Sequence, residues 1–345
     1  MIAGKDRILV KEHVKGIAGL AKDIGKKITI MEVCGGHTST IMQYGIREIL
    51  PKNIRLISGP GCPVCVSAQR DIDNIIALAD NGTPVATYGD MLKVPGSRHS
   101  LDDARAKGGN IFEVYSAEEV LGLQEKYSEI VFFGVGFETT APMSAFLLGS
   151  GVPVYSVHKL VPPALKAILS GEVGIDGFID PGHVSAIIGI EPYKDVAVPQ
   201  VISGFTPERI LRSIRLLLEL IKHNKPIAVN GYPEVVREEG NIKAQALLRK
   251  HFVVSDSEWR GIGAINDSGL EVRDQSLNAK EIYADVLRTV PAPKKTACRC
   301  GEVLRGVIEP SDCPLYKKRC SPENAQGPCM VSSEGTCAIA YRHGG

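Results

Sequence analysis

The sequence predicts an α/β protein, with two similar parallel-sheet domains facing a cleft and a loop-rich, cysteine-rich domain at the C-terminal end. Three observations lead there. Short β-branched runs alternate with helical segments as far as about residue 230, the pattern of parallel sheets with crossover helices. That pattern occurs twice, with corresponding residues after the first strand of each set. The nine cysteines are segregated: three lie in the first 65 residues and six between 298 and 337.

Residues 5–24 set Ile8, Val10, Val14, Ile17 and Leu20 among Lys, Glu and Asp, which predicts an amphipathic helix. Strands are expected at 28–33, 55–58, 84–88 and 111–115. The first runs into a Gly-Gly turn, and 39–50 reads as a helix. Ser67 is placed to cap a helix carrying Ile72, Ile75, Ile76 and Leu78, which Asn81-Gly82 would end. Ser116-Ala117-Glu118-Glu119 has capping-box spacing and opens a helix through Tyr127.

The second set of strands is expected at 130–135, 152–157, 177–180 and 196–202. Gly35-Gly36-His37-Thr38-Ser39-Thr40 corresponds to Gly136-Phe137-Glu138-Thr139-Thr140-Ala141, and Gly89-Asp90 to Asp180-Pro181-Gly182-His183. This is the pattern a duplication would leave. It gives two four-stranded Rossmann-like domains, at 1–128 and 129–230, and a third region at 231–345. Right-handed crossovers place the loops after the strands at one edge of each sheet, so function is expected where those edges face each other. Thr206-Pro207 begins a helix carrying Ile210, Leu211, Ile214, Leu217, Leu218 and Ile221. A further helix is expected from about Tyr232 to His251. Residues 259–272 should be extended, and Pro291-Ala292-Pro293-Lys294-Lys295 leads into the cysteine-rich tail.

At 345 residues the chain exceeds one typical core, so two or three domains are expected. A net charge of +1 without a long basic run gives no reason to expect nucleic acid. No apolar run approaches the roughly 18 residues a membrane helix needs, so no membrane partner is expected. Met1-Ile2-Ala3-Gly4-Lys5-Asp6 lacks the apolar core of a signal peptide, which makes the cytoplasm the expected location. In a reducing compartment nine cysteines point to metal binding or redox chemistry rather than a disulfide framework.

Cys298, Cys313, Cys320 and Cys337 are separated by 14, 6 and 16 residues, with Cys300 and Cys329 left over. Thiolates on loop-rich backbone can hold an iron–sulfur cluster or a tetrahedral zinc, or can pair as disulfides; single, widely spaced cysteines suit a cluster best. Gly59-Pro60-Gly61-Cys62-Pro63-Val64-Cys65 places a Cys-x-x-Cys at a helix start, where amides and dipole lower a thiolate pKa. The pair can cycle between dithiol and disulfide, or bind metal with Cys34; the plain alternative is a tight turn with two buried thiols. Cys34 on its Gly-Gly turn is a metal-ligand candidate against the alternative of a buried thiol. His37 is a ligand or proton donor, or merely bonds its turn.

Gly134-Val135-Gly136-Phe137-Glu138-Thr139 lacks the third glycine of a dinucleotide turn, and Glu138 would repel phosphate. Glu138 and Thr139 are therefore expected to serve the cleft with proton transfer or hydrogen bonds, against the alternative of helix capping by a threonine. His183 can donate to an anionic ligand with Asp180 orienting it, unless Asp180 simply caps a helix.

The motifs CGGHT (34–38), GPGCPVC (59–65), GFETTAP (136–142) and PGHVSAIIG (181–189), with the C-x14-C-x6-C-x16-C tail, resemble the HypD family of hydrogenase maturation factors along nearly the whole chain. The resemblance implies two α/β domains with an iron–sulfur domain. It implies a complex with a HypC-type small chaperone, holding the iron that becomes the Fe(CN)2CO moiety of [NiFe] hydrogenases, with cyanide delivered by a HypE-type partner. Cys34 would be the iron-binding thiolate, Cys62 and Cys65 the redox pair or further iron ligands, and Cys298, Cys313, Cys320 and Cys337 the ligands of a [4Fe–4S] cluster. Cys300 and Cys329 are then expected to relay electrons to Cys62/Cys65. Such a chain is an assembly scaffold more than a turnover enzyme. The competing expectations are a stand-alone thiol–disulfide oxidoreductase and a zinc-stabilised binding protein.

Overall fold

A computed structural model describes residues 4–294 and 296–344. Residues 1–3, part of the segment read for a signal peptide, lie outside the described residues, as does Lys295 of the expected linker. All eight predicted strands form: β1 (Ile28–Glu32), β2 (Ile54–Ser58), β3 (Val85–Thr87), β4 (Ile111–Glu113), β5 (Val131–Gly136), β6 (Val154–Lys159), β7 (Gly177–Pro181) and β8 (Gln200–Ser203). Three more follow: β9 (Ala228–Asn230), and β10 (Phe252–Trp259) with β11 (Gly263–Val272) as an antiparallel hairpin.

The sheets do not follow the order of the chain. One runs β2-β1-β7-β8-β9 and is entirely parallel; the other runs β10-β11-β6-β5-β3-β4, parallel except for the hairpin. The two sets of strands do build two sheets of one pattern, since β2-β1-β7-β8 and β6-β5-β3-β4 have equivalent orders. Each sheet, however, takes its first pair from one set and its second pair from the other. The expected boundaries at 128 and 230 therefore do not separate the sheets: β3 to β6 are inserted between the parts of the first. A strand's own residues specify its burial and period but not which strand lies beside it.

The expected helix over 5–24 is observed at Gly4–Ile24, with Ile17 fully buried and Ile8 at 61% exposure outside the core. It lies with the Pro207–Lys222 helix over the first sheet, where Ile17, Ile28, Ile30, Ile210, Ile214, Leu217 and Leu218 form one apolar cluster. The capping hydroxyls act as predicted at Ser116 and Thr206, which accept from Glu119 and Arg209 amides. Ser67 does not cap: its hydroxyl donates to Pro63 O at 3.0 Å, and the next helix begins at Gln69. The helix expected over 232–251 forms only as Ile242–His251. Pro233 and the left-handed Gly240 (φ +71°) interrupt the preceding stretch, and Asn230 organises it as a turn by accepting from Tyr232 N at 2.9 Å. No helix among the described residues is long and apolar enough to cross a membrane.

Candidate functional site

In each sheet the chain leaves a central strand in opposite directions on its two sides, β1 against β7 in the first and β5 against β3 in the second. Loops beyond the carboxyl ends of such strands diverge and leave a crevice. The predicted motifs occupy these positions: Cys34 follows β1, His183 follows β7, and Glu138 follows β5.

Cys34 sits in extended conformation (φ −158°, ψ 131°) at the start of the Gly35–Gln43 helix. The glycines around it are explained by contact. A Cβ at Gly61 would lie 2.3 Å from Cys34 N and 2.5 Å from its Cα. Gly35 N donates to Gly61 O at 3.3 Å, and Gly59 N to Glu32 O at 2.8 Å. The turns after β1 and β2 thus touch backbone to backbone, which sets Cys34 beside Cys62. The cysteine-rich tail joins them, because a Cβ at Gly35 would lie 2.5 Å from Glu334 O.

The Cys34 thiol is half-buried. Burial, then the Glu334 carboxylate, push it up to about 12, opposed by the Gly36 and His37 amides. Beneath it, buried Glu32 accepts from Cys34 N at 3.2 Å and from the Thr38 hydroxyl, and burial raises its carboxyl to about 7. His37 is fully buried; its Nε2 donates to Ser203 O at 3.4 Å and its Nδ1 has no partner among the described residues. It therefore bonds the end of β8 rather than its own turn, and burial depresses its pKa to about 4. Its ring stacks on Phe205 at 4.8 Å, and exposed His183 approaches the same ring at 4.3 Å. Phe205 was invisible in the sequence, the only signal being an aromatic just past a strand.

From the second sheet, buried Glu138 accepts from Val161 N at 3.0 Å through Oε1, while Oε2 has no partner among the described residues, and burial raises it to about 7. Thr139 is exposed, and Thr140 holds the cap position of the next helix without a capping bond, so neither threonine caps as the alternative supposed. Asp180 is fully buried and both carboxyl oxygens lack partners among the described residues. It neither caps a helix nor orients His183. Tyr193, also missed by the sequence, is buried with its hydroxyl 3.0 Å from Ser185 Oγ. Burial, then the charges of Asp180, Glu138 and Cys34, hold its phenol well above the usual range. Groups from both sheets therefore bear on one buried tyrosine.

Cys62 and Cys65 are buried and joined as a disulfide, with Cys65 N donating to Cys62 Sγ at 3.2 Å. The helix they open, Pro63–Val66, is a single turn. That leaves little dipole for the thiolate effect expected from the sequence. It packs against Cys300–Leu304 and Pro328–Val331 of the tail. There Cys298, Cys300, Cys313, Cys320, Cys329 and Cys337 line one small cavity with Leu315, Tyr316 and Met330. All six are free thiols. Cys300 is held well below the usual thiol range by hydrogen bonds from Cys298 and Cys329, while Cys329 is pushed well above it by its bonds to Cys300 and Cys337. The two left-over cysteines thus share the cavity of the other four.

Among the described residues no three Cys, His, Asp or Glu side chains converge as around a single ion. Six thiols spread around one cavity make an all-sulfur donor set, the chemistry an iron–sulfur cluster requires. A larger cavity of about 1070 Å³ runs along the outer edge of β2 and shares Tyr316 with the cysteine cavity.

Residues 8–344 match a family model described as HypD, hydrogenase formation hypA family. The chain is 38% identical to a putative hydrogenase expression/formation protein of Methanocaldococcus jannaschii, covering 99% of each chain. It is 40% identical to the hydrogenase maturation factor HypD of Cupriavidus necator, over 93% of this chain and 90% of that one. With HypD of Rhizobium leguminosarum bv. viciae the identity is 39%, over 99% and 94%.

Proposed function

The chain belongs to the HypD family of hydrogenase maturation factors, and on that footing we propose that it is the scaffold on which the Fe(CN)2CO moiety of [NiFe] hydrogenases is assembled. A maturation factor works with other maturation proteins; the partners in this reading are a HypC-type chaperone and a HypE-type cyanide donor. The observation that carries it is the backbone contact between the turns of Cys34 and Cys62, with the six-thiol cavity packed behind the second. An anchoring thiol and a redox-capable pair are adjacent, as attachment of strong-field ligands to a low-spin iron requires.

In this reading Cys34 binds the cargo iron, sharing it with a cysteine of the chaperone. Cys62 and Cys65 change between disulfide and dithiol, or add ligands to the iron. Glu138 and His183 face the bound cyanides as donors; His37, whose ring proton already goes to Ser203 O, offers its Nδ1 lone pair as a ligand, while Thr139, exposed, serves at the rim. Cys298, Cys313, Cys320 and Cys337 would hold a [4Fe–4S] cluster, which supplies single electrons when bound. Cys300 and Cys329 relay electrons to the Cys62–Cys65 disulfide, whose reduction takes two electrons and two protons and leaves two thiols.

Anaerobic loading with ferrous iron and the chaperone tests the anchor. Cys34→Ala is expected to lose the shared iron while keeping the sulfide and iron of the tail; retention of both would overturn it. For the relay, Cys300→Ser is expected to leave Cys62–Cys65 oxidised under reductant, and normal reduction in that variant would remove the relay. The observed disulfide favours one second reading, a stand-alone thiol–disulfide oxidoreductase. That protein would work without Cys34.

A further inference from the structure

A pocket of about 420 Å³ opens beside the cysteine cavity, and Cys298, Cys300 and Gly327 line both. The wall between them is thin: a Cβ at Gly327 would lie 2.6 Å from Cys298 Sγ, so backbone rests directly on sulfur. The pocket is lined by four cations, Arg260, Lys294, Arg299 and Arg305, and by one carboxylate, Glu302. The whole chain has 40 basic and 39 acidic residues, so this excess is local. Arg299 pairs with Glu302, and Arg305 with Glu172 at 2.8 Å. Arg260 is held by neutral acceptors, Ser67 O at 2.8 Å and Gln69 Oε1 at 2.9 Å, and its buried Nη2 has no hydrogen-bond partner among the described residues. No carboxylate among the described residues pairs with it, and its charge bears on the neighbouring Cys300 thiol. Through its backbone N, 2.9 Å from Val66 O, it also ties this rim to the helix that carries Cys65.

We propose that this basic pocket docks a small acidic protein that carries one electron at a time. Cys300 is 6% exposed, closed to attack by an outside thiol, whereas an electron can cross a thin wall. A positive rim recruits an acidic carrier and speeds its encounter. Each docked carrier is oxidised by one electron; two visits and two protons from solvent turn the Cys62–Cys65 disulfide into two thiols. The inference rests on the reading that the tail and the pair handle electrons.

The test is binding of reduced plant-type [2Fe–2S] ferredoxin, an acidic carrier, to the full chain. Affinity is expected to fall steeply as salt rises, and by roughly tenfold in Lys294→Glu/Arg305→Glu, with Lys15→Glu unchanged. Lys294→Gln/Arg305→Gln, milder toward folding, should lose an intermediate amount. A double variant within twofold of the wild type, or an equal loss in Lys15→Glu, overturns the proposal. So does saturable binding of inorganic phosphate alone that blocks ferredoxin, which would make this a small-anion pocket. Dithionite separates the two readings. If it produces thiols at Cys62 and Cys65 while ferredoxin fails to bind, only the docking is lost; if neither reductant produces them, the electron-handling reading is lost.

Discussion

Glu138 shows what burial does to a single residue. Burial raises its carboxyl to about 7, opposed by its own amide and by that of Val161. A carboxyl with a raised pKa in the fold favours folding below the ordinary value of 4.5, and that contribution is lost as pH rises through about 7. Glu138→Gln keeps the acceptor for Val161 N and removes the titration. Relative to the wild type it should gain on the order of 2 kcal/mol between pH 4.5 and 7.5, read from urea unfolding at both. An unchanged difference would mean that Glu138 is ionised in the fold. Glu138 was legible as a candidate because it puts a carboxylate into a Gly-rich turn, where it would repel a phosphate. Tyr193 and Phe205 were not, since a lone aromatic in a loop carries no periodicity.

The turns of Cys34 and Cys62 act at the scale of elements. Gly61 is required by the approach of Cys34, not by a left-handed φ. In Gly61→Ala the methyl meets backbone that has nowhere to yield, so the two turns must part. The expected cost is about 1–3 kcal/mol, with the Cys34 thiol more open to alkylating reagents. Wild-type stability and reactivity in that variant would show that the contact is not needed. Strands and their loops were readable because β-branched runs and Gly-rich turns are local signals. Ile8 was misjudged because helical spacing gives a face without saying which residue of it meets the sheet. The helix expected over 232–251 overran because Pro233 and Gly240 were outweighed by the apolar residues around them.

For the whole molecule, sheet partnership was the part hidden from the sequence. The repeat of four strands was visible, yet nothing in β3 says that it lies beside β5 rather than β1. The exchange has a consequence: the cysteine-rich tail packs into one core with Met31 and Ile57 of the first sheet and Phe133 and Val135 of the second. Occupation of the tail should therefore stabilise the entire chain. Reconstitution with iron and sulfide should raise the thermal midpoint in the wild type and not in Cys337→Ser. Equal midpoints with and without reconstitution would place the tail outside the cooperative unit. The proposed assembly depends on Cys34. An infrared spectrum of the chain copurified anaerobically with its HypC-type chaperone should show cyanide and carbonyl stretching bands that vanish in Cys34→Ala. Bands that persist in that variant would contradict it.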